Sequence, residues 1–236
     1  MKNKKYILFP IISIVLTMLN SCVEQTEWTK YGLNGKVKTL VENQYEPVEK
    51  SGKWQQGAPT RFGNYSLIFS EKGDHERTNF FDENNKIRYY LISKIENGKM
   101  VEESRYDAEG KFQGINKYTH TSDTKIEFTS YEPYEGELIE VSKGTAYLKD
   151  GKPVGSDLKT LYNGEVNYEV QKKFLYDENG FLVGIKKSFP VGDDEIEKFE
   201  YTEFDDQNNW TKRLYYEDED SKTPHKIIIR SYEYYK

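Results

Sequence analysis

Turn signals recur along this chain more regularly than any other feature, and they limit what it can fold into. Lys72-Gly73, Asn84-Asn85, Asn97-Gly98 and Glu109-Gly110 follow one another at 12, 13 and 12 residues. More stand at Ser122-Asp123, Glu135-Gly136, Asp150-Gly151, Asn163-Gly164, Asn179-Gly180, Gly192-Asp193, Asn208-Asn209 and Asp218 to Ser221. Asn-Gly and Asp-Gly supply the positive φ angles of tight hairpin turns, so Gly151 and Gly180 are expected there. Between the turns apolar and polar residues alternate: Val166, Tyr168 and Val170 oppose Asn167, Glu169 and Gln171. That period of two marks half-buried strands. Short strands with a turn every 12 to 16 residues form an antiparallel meander. After the first 21 residues no window carries a helical apolar period, so the mature chain is expected to be nearly helix-free.

Composition agrees. Aromatics are 15% of the 236 residues, with 20 Tyr and 12 Phe, and such side chains fit a pleated surface. Mean hydropathy is −0.88, which leaves a thin core built from rings. Each buried ring removes about 150–250 Å² from water, roughly 4–6 kcal/mol at ~25 cal/mol/Å².

The first residues are an address. Lys2, Lys4 and Lys5 precede an apolar run from Tyr6 to Leu19, which has the form of a secretory signal and is short for a membrane span. The run ends in Leu19-Asn20-Ser21-Cys22, which resembles the bacterial lipobox, and the resemblance makes Cys22 the lipid acceptor. The expected division is a signal peptide over 1–21, a tether over 22–30 and one domain over 31–236. Removing residues 1–21 leaves 31 basic and 40 acidic residues, a formal charge of −9. That balance argues against nucleic acid, whose binding needs basic patches. Cys22 is the single cysteine; once acylated it leaves no thiol for a disulfide or a metal.

Four turns share a fuller pattern. Tyr106-Asp107-Ala108-Glu109-Gly110 and Tyr176-Asp177-Glu178-Asn179-Gly180 read Tyr-Asp-x-x-Gly, and Phe81-Asp82 and Phe204-Asp205 open two variants ending in Asn. In these residues the chain resembles the YD-repeat, or Rhs-like, family over most of 65–236. The resemblance implies stacked β-hairpins in one curling sheet, with the repeat residues structural rather than catalytic. A toxin-enclosing shell needs far more repeats than are present here.

The expected fold is therefore all-β: an open, strongly twisted meander curling toward a half-barrel, with a β-sandwich as second choice. In the first strand Val37, Thr39, Val41 and Tyr45 lie on one face, with Lys36, Lys38, Glu42 and Gln44 mostly on the other. Residues 46–64 hold Pro47, Gly52, Gly57, Pro59 and Gly63 and read as a long loop. Its Trp54 is the candidate binding residue, against the plainer reading that it folds back over a sheet edge or the rim of the core.

Chemistry is sparse. His75, His120 and His225 show no mutual ligand spacing and read as surface residues; no metal or cofactor is implied. Acidic runs at Asp193–Glu195 and Glu217–Asp220 lack the alternate spacing of a calcium loop. Ser156-Asp157-Leu158-Lys159 matches a Ser-x-x-Lys string without its companion motifs. The expected function is a non-catalytic protein of the bacterial cell envelope, lipid-anchored to the outer membrane, presenting a β-surface to an unknown protein or glycan. The alternatives are a glycan-processing enzyme with dispersed carboxylates and an immunity-type protein for a toxin.

Overall fold

The computed structural model describes residues 26–236, so the expected signal segment and Cys22 lie outside the described residues. One four-residue helix, α1 (Glu27–Lys30), precedes β1 (Val37–Lys50), β2 (Lys53–Pro59), β3 (Asn64–Phe69), β4 (His75–Phe81) and β5 (Ile87–Glu96). There follow β6 (Lys99–Asp107), β7 (Phe112–Ser122), β8 (Lys125–Tyr134), β9 (Glu137–Lys149) and β10 (Lys152–Tyr162). The last five are β11 (Glu165–Tyr176), β12 (Leu182–Ser188), β13 (Glu195–Phe204), β14 (Trp210–Tyr216) and β15 (Lys226–Tyr234).

Each strand from β3 to β15 pairs antiparallel with the next, as the turn series requires. The sheet is not open, and it is not a sandwich. β15 pairs with β1 from Val37↔Tyr234 to Tyr45↔Ile227, closing a 14-strand barrel in which β2 takes no place. Closure pairs the two edges that an open meander would leave as bare rows of N–H and C=O groups.

The repeat turns have one construction. The aromatic before each Asp faces the residue that opens the next strand: Phe81↔Ile87, Tyr106↔Phe112, Tyr176↔Leu182 and Phe204↔Trp210. A register shift sits at each of those pairs. Asp82, Asp177 and Asp205 then accept backbone N–H bonds two and four residues on through a single Oδ1. Asp107 accepts one from Lys111 at 2.8 Å. Gly180 and Gly110 adopt φ of +81° and +85°, where a Cβ is strained.

Residues 46–64 are not a loop. β1 continues to Lys50, turns, and returns as β2, making an arm outside the barrel. Its Trp54 packs with Tyr45 against Leu214, Tyr216 and Ile227 on the outer wall.

The main core lies inside, at the end that carries the turns at 70–73 and 178–180. Leu33, Val37, Leu40, Leu67 and Phe69 are buried there, with Trp28 and Tyr65 packed on them. A barrel of this strand number is too wide for its own wall residues to fill. The chain supplies the filling from its N-terminal side, with α1 seated in the lumen. Trp28 Nε1 donates to the Val37 carbonyl oxygen at 2.7 Å, and the Glu27 N–H donates to that of Gly73 at 3.1 Å. Part of the stretch read as tether is thus a lumenal plug.

Candidate functional site: the lumen beside the plug

Cross-strand partners share a face, so the ladders sort the wall into two surfaces. Lys94, Glu102, Lys117, Thr129, Lys143, Lys159 and Glu169 are successive partners across β5 to β11. Thr119, Glu127, Thr145, Asp157, Gln171 and Ser188 form the next row. Both rows face outward. A barrel that crosses a bilayer carries an outward apolar band about 25 Å tall; charged rows through the middle of this wall are suited to water.

Inward, the row Tyr118–Phe128–Gly144–Leu158–Val170 is apolar apart from the tyrosine hydroxyl. Gly144 has a steric task in it. A Cβ there would run into the Asp157 carbonyl oxygen and come within 2.6 Å of the Phe128 ring. The Phe128 ring thus lies over bare backbone.

A cavity of about 290 Å³ opens between this wall and α1. Its apolar lining comes from Met100, Ile126, Phe128, Ala146, Leu148 and Pro153. Glu27, Lys30 and Tyr31 enter from the plug, and Glu103, Tyr118 and His120 from the wall. Lys30 pairs with Glu27. His120 Nε2 donates to the Met100 carbonyl oxygen at 2.9 Å.

Glu103 is different. Its Oε2 accepts from the Tyr118 hydroxyl at 2.7 Å and from Asn116 Nδ2 at 3.5 Å. Its Oε1 has no hydrogen-bond partner, and no cation lies within ion-pair distance, among the described residues. Burial pushes the Glu103 carboxyl above its ordinary range, with the nearby Glu27 adding to the rise; the Tyr118 and Asn116 bonds oppose it. Tyr118 is itself raised, first by burial and then by Glu103. Tyr31 keeps 39% of its surface open and lines the cavity, and its ring packs edge-on against Phe69 and His75.

No protein-family model matches the chain, and no curated protein does. Among solved structures it is similar to a porin-like protein from Bacteroides uniformis ATCC 8492. That likeness is 7% identical, covers 85% of this chain and 98% of the other, and has a TM-score of 0.38. So loose a superposition carries no argument; the strand pairings define the barrel.

On the far side of Lys30 and Tyr31 lies a smaller space of about 130 Å³ bordered by Lys152, Tyr201, Trp210, Arg213 and Arg230. The Arg230 and Arg213 guanidiniums stack on Trp210 at 3.9 and 4.6 Å. Arg230 is spoken for, since it pairs with Glu42 at 2.8 Å.

Of the residues singled out from the sequence, His120 lines this cavity, and Tyr176 and Gly180 border the smaller space across the plug. Trp54 is on the outer arm, and the repeat Asp residues hold turns at the two ends of the barrel. The histidines divide three ways. His225 is at a turn beside Glu217, and His120 lines the cavity. His75 is fully buried, bonded to Thr78 at 2.9 Å and Ser93 at 3.1 Å, so it is not a surface residue. Glu103 carries no sequence signal at all among 40 acids. The plug had a faint one in Trp28 and Tyr31, three apart after Thr26, but one helical turn is too short to show a period.

Proposed function

We propose that this is a non-catalytic, lipid-anchored barrel of the bacterial cell envelope that holds a small, largely apolar molecule in its lumen. The observation that carries the reading is the cavity beside α1: about 290 Å³, at the lower edge of the ~300–1,000 Å³ of ligand pockets. Its lining is mostly apolar while the outer wall is charged. That distribution, apolar within and charged without, is what a water-facing container requires. The Leu19 to Cys22 lipobox and the preceding apolar run support the anchor, and the uniform Asp turns support the likeness to YD repeats.

The enzyme alternative has one observation in its favour. Two carboxylates, Glu27 and Glu103, reach the cavity, and a raised carboxyl is what a general acid shows. Glu27 is occupied by Lys30, however, and the apolar wall would leave sugar hydroxyls without partners. Binding of a small apolar molecule fits the lining better than processing of a glycan.

The test is fluorescence titration with N-phenyl-1-naphthylamine, an apolar probe. The wild-type barrel should bind it saturably, and Ala146→Trp, which fills the cavity, should not. Equal binding by both would place the probe elsewhere and defeat the reading, as would release of sugar products from envelope polysaccharide. In the native host, Cys22→Ser should move the protein out of the membrane fraction; an intact mass showing a mature chain that starts elsewhere would remove the anchor.

A further inference from the structure

From the chemistry of Glu103 we infer that the molecule held in the lumen is an organic cation: a primary or secondary amine with a compact apolar body. The inference rests on lumenal binding and specifies the class of ligand.

Three observations converge. The Glu103 Oε1 is without a hydrogen bond, and no lysine or arginine lies within ion-pair distance of it, among the described residues. The charges around the cavity do not cancel: two carboxylates, Glu27 and Glu103, line it with one lysine, Lys30, and that lysine pairs with Glu27. The rings of Tyr31, Tyr118 and Phe128 line the same space, and aromatic faces attract cations. An ammonium on Glu103 would complete the pair that the protein leaves open, and charge-assisted hydrogen bonds of that kind are about twice as strong as neutral ones. Met100, Ile126, Ala146 and Leu148 would cover the ligand's hydrocarbon. A neutral ligand would leave the carboxylate unpaired in an apolar wall, and an anion would sit against a like charge. The space across the plug is bordered by cations instead, so the two sides of Lys30 and Tyr31 differ in sign.

The experiment is calorimetric titration of three probes with a common phenylethyl body at neutral pH: phenethylamine, 2-phenylethanol and 3-phenylpropionate. Phenethylamine should bind the wild type at least about tenfold tighter than the alcohol, with the carboxylate weakest. Glu103→Gln keeps the shape and removes the charge; it should bring amine and alcohol to within about twofold. Should Glu103→Gln fail to fold, the wild-type ranking decides alone. An alcohol or carboxylate that binds as well as the amine overturns the cationic class while lumenal binding stands. The cationic class is overturned equally if Glu103→Gln retains the amine preference. If none of the three binds, lumenal binding falls together with it.

Discussion

Glu42 on β1 and Arg230 on β15 form an ion pair 2.8 Å long across the seam where the barrel closes, 188 residues apart in sequence. Tyr65 on β3 donates to the same carboxylate oxygen at 2.9 Å and accepts from Arg230 Nη2 at 3.2 Å. Three strands are thereby tied at one buried point, with the Trp210 ring stacked on the guanidinium. Burial alone would raise the Glu42 carboxyl. The Arg230 and Arg213 charges and the Arg230 and Tyr65 hydrogen bonds outweigh it, and the pKa ends below its ordinary value.

Removing one partner should therefore be costly. Arg230→Leu strands a buried carboxylate and is expected to destabilise by about 3–5 kcal/mol, whereas Glu42→Leu with Arg230→Leu should recover most of that. Denaturant unfolding of the single and double variants measures both. Because the folded Glu42 pKa is depressed, the pair's stabilisation is present above the ordinary carboxylate pKa and is lost as pH falls through the folded value. Arg230→Leu should abolish that loss below pH 4.5, the group's ordinary pKa.

His75 sets a second pH dependence. Burial lowers its pKa from 6.5 to about 4, so the folded protein keeps the ring neutral where the unfolded chain would protonate it. Stability should fall as pH drops from 6.5 toward 4, by up to about 3 kcal/mol. Unfolding midpoints across that window should show the slope in the wild type and not in His75→Asn. An identical slope in the variant would assign it to other groups.

Gly144→Ala should destabilise by about 2–3 kcal/mol, because neither the Asp157 carbonyl nor the Phe128 ring can move without opening the wall. Gly164→Ala tests the contrast: its φ is +80°, but the space around it is empty. Strain alone should cost it about 1 kcal/mol. Thermal unfolding of the pair distinguishes close packing from turn conformation.

Trp54→Ala should cost about 2 kcal/mol, less than the ~3–5 of a fully buried aromatic, because the ring covers Leu214, Tyr216 and Ile227 while staying part-exposed. A change within about 0.5 kcal/mol is the surface norm and would mean that the arm does not hold to the wall in solution.

The local grammar of the fold was written in the sequence. Asn-Gly, Asp-Gly and the Tyr-Asp-x-x-Gly turns fix hairpin position through φ preference and side-chain bonds within five residues. Those forces act on the chain without reference to anything distant, so strand order and the all-β class were legible from Lys72-Gly73 onward. The inside of the barrel was not. In β1 the apparent core face, Val41 and Tyr45, points outward, while Glu42 on the apparent solvent face is buried. A carboxylate can occupy a core position only because Arg230 meets it there. The same holds for closure, for α1 as a plug, for Trp54 under its arm and for Glu103 beside an apolar wall. Each depends on which strands become neighbours after the sheet has curled round on itself. That pairing is decided by the match of two edges at opposite ends of the chain, and no local preference encodes it.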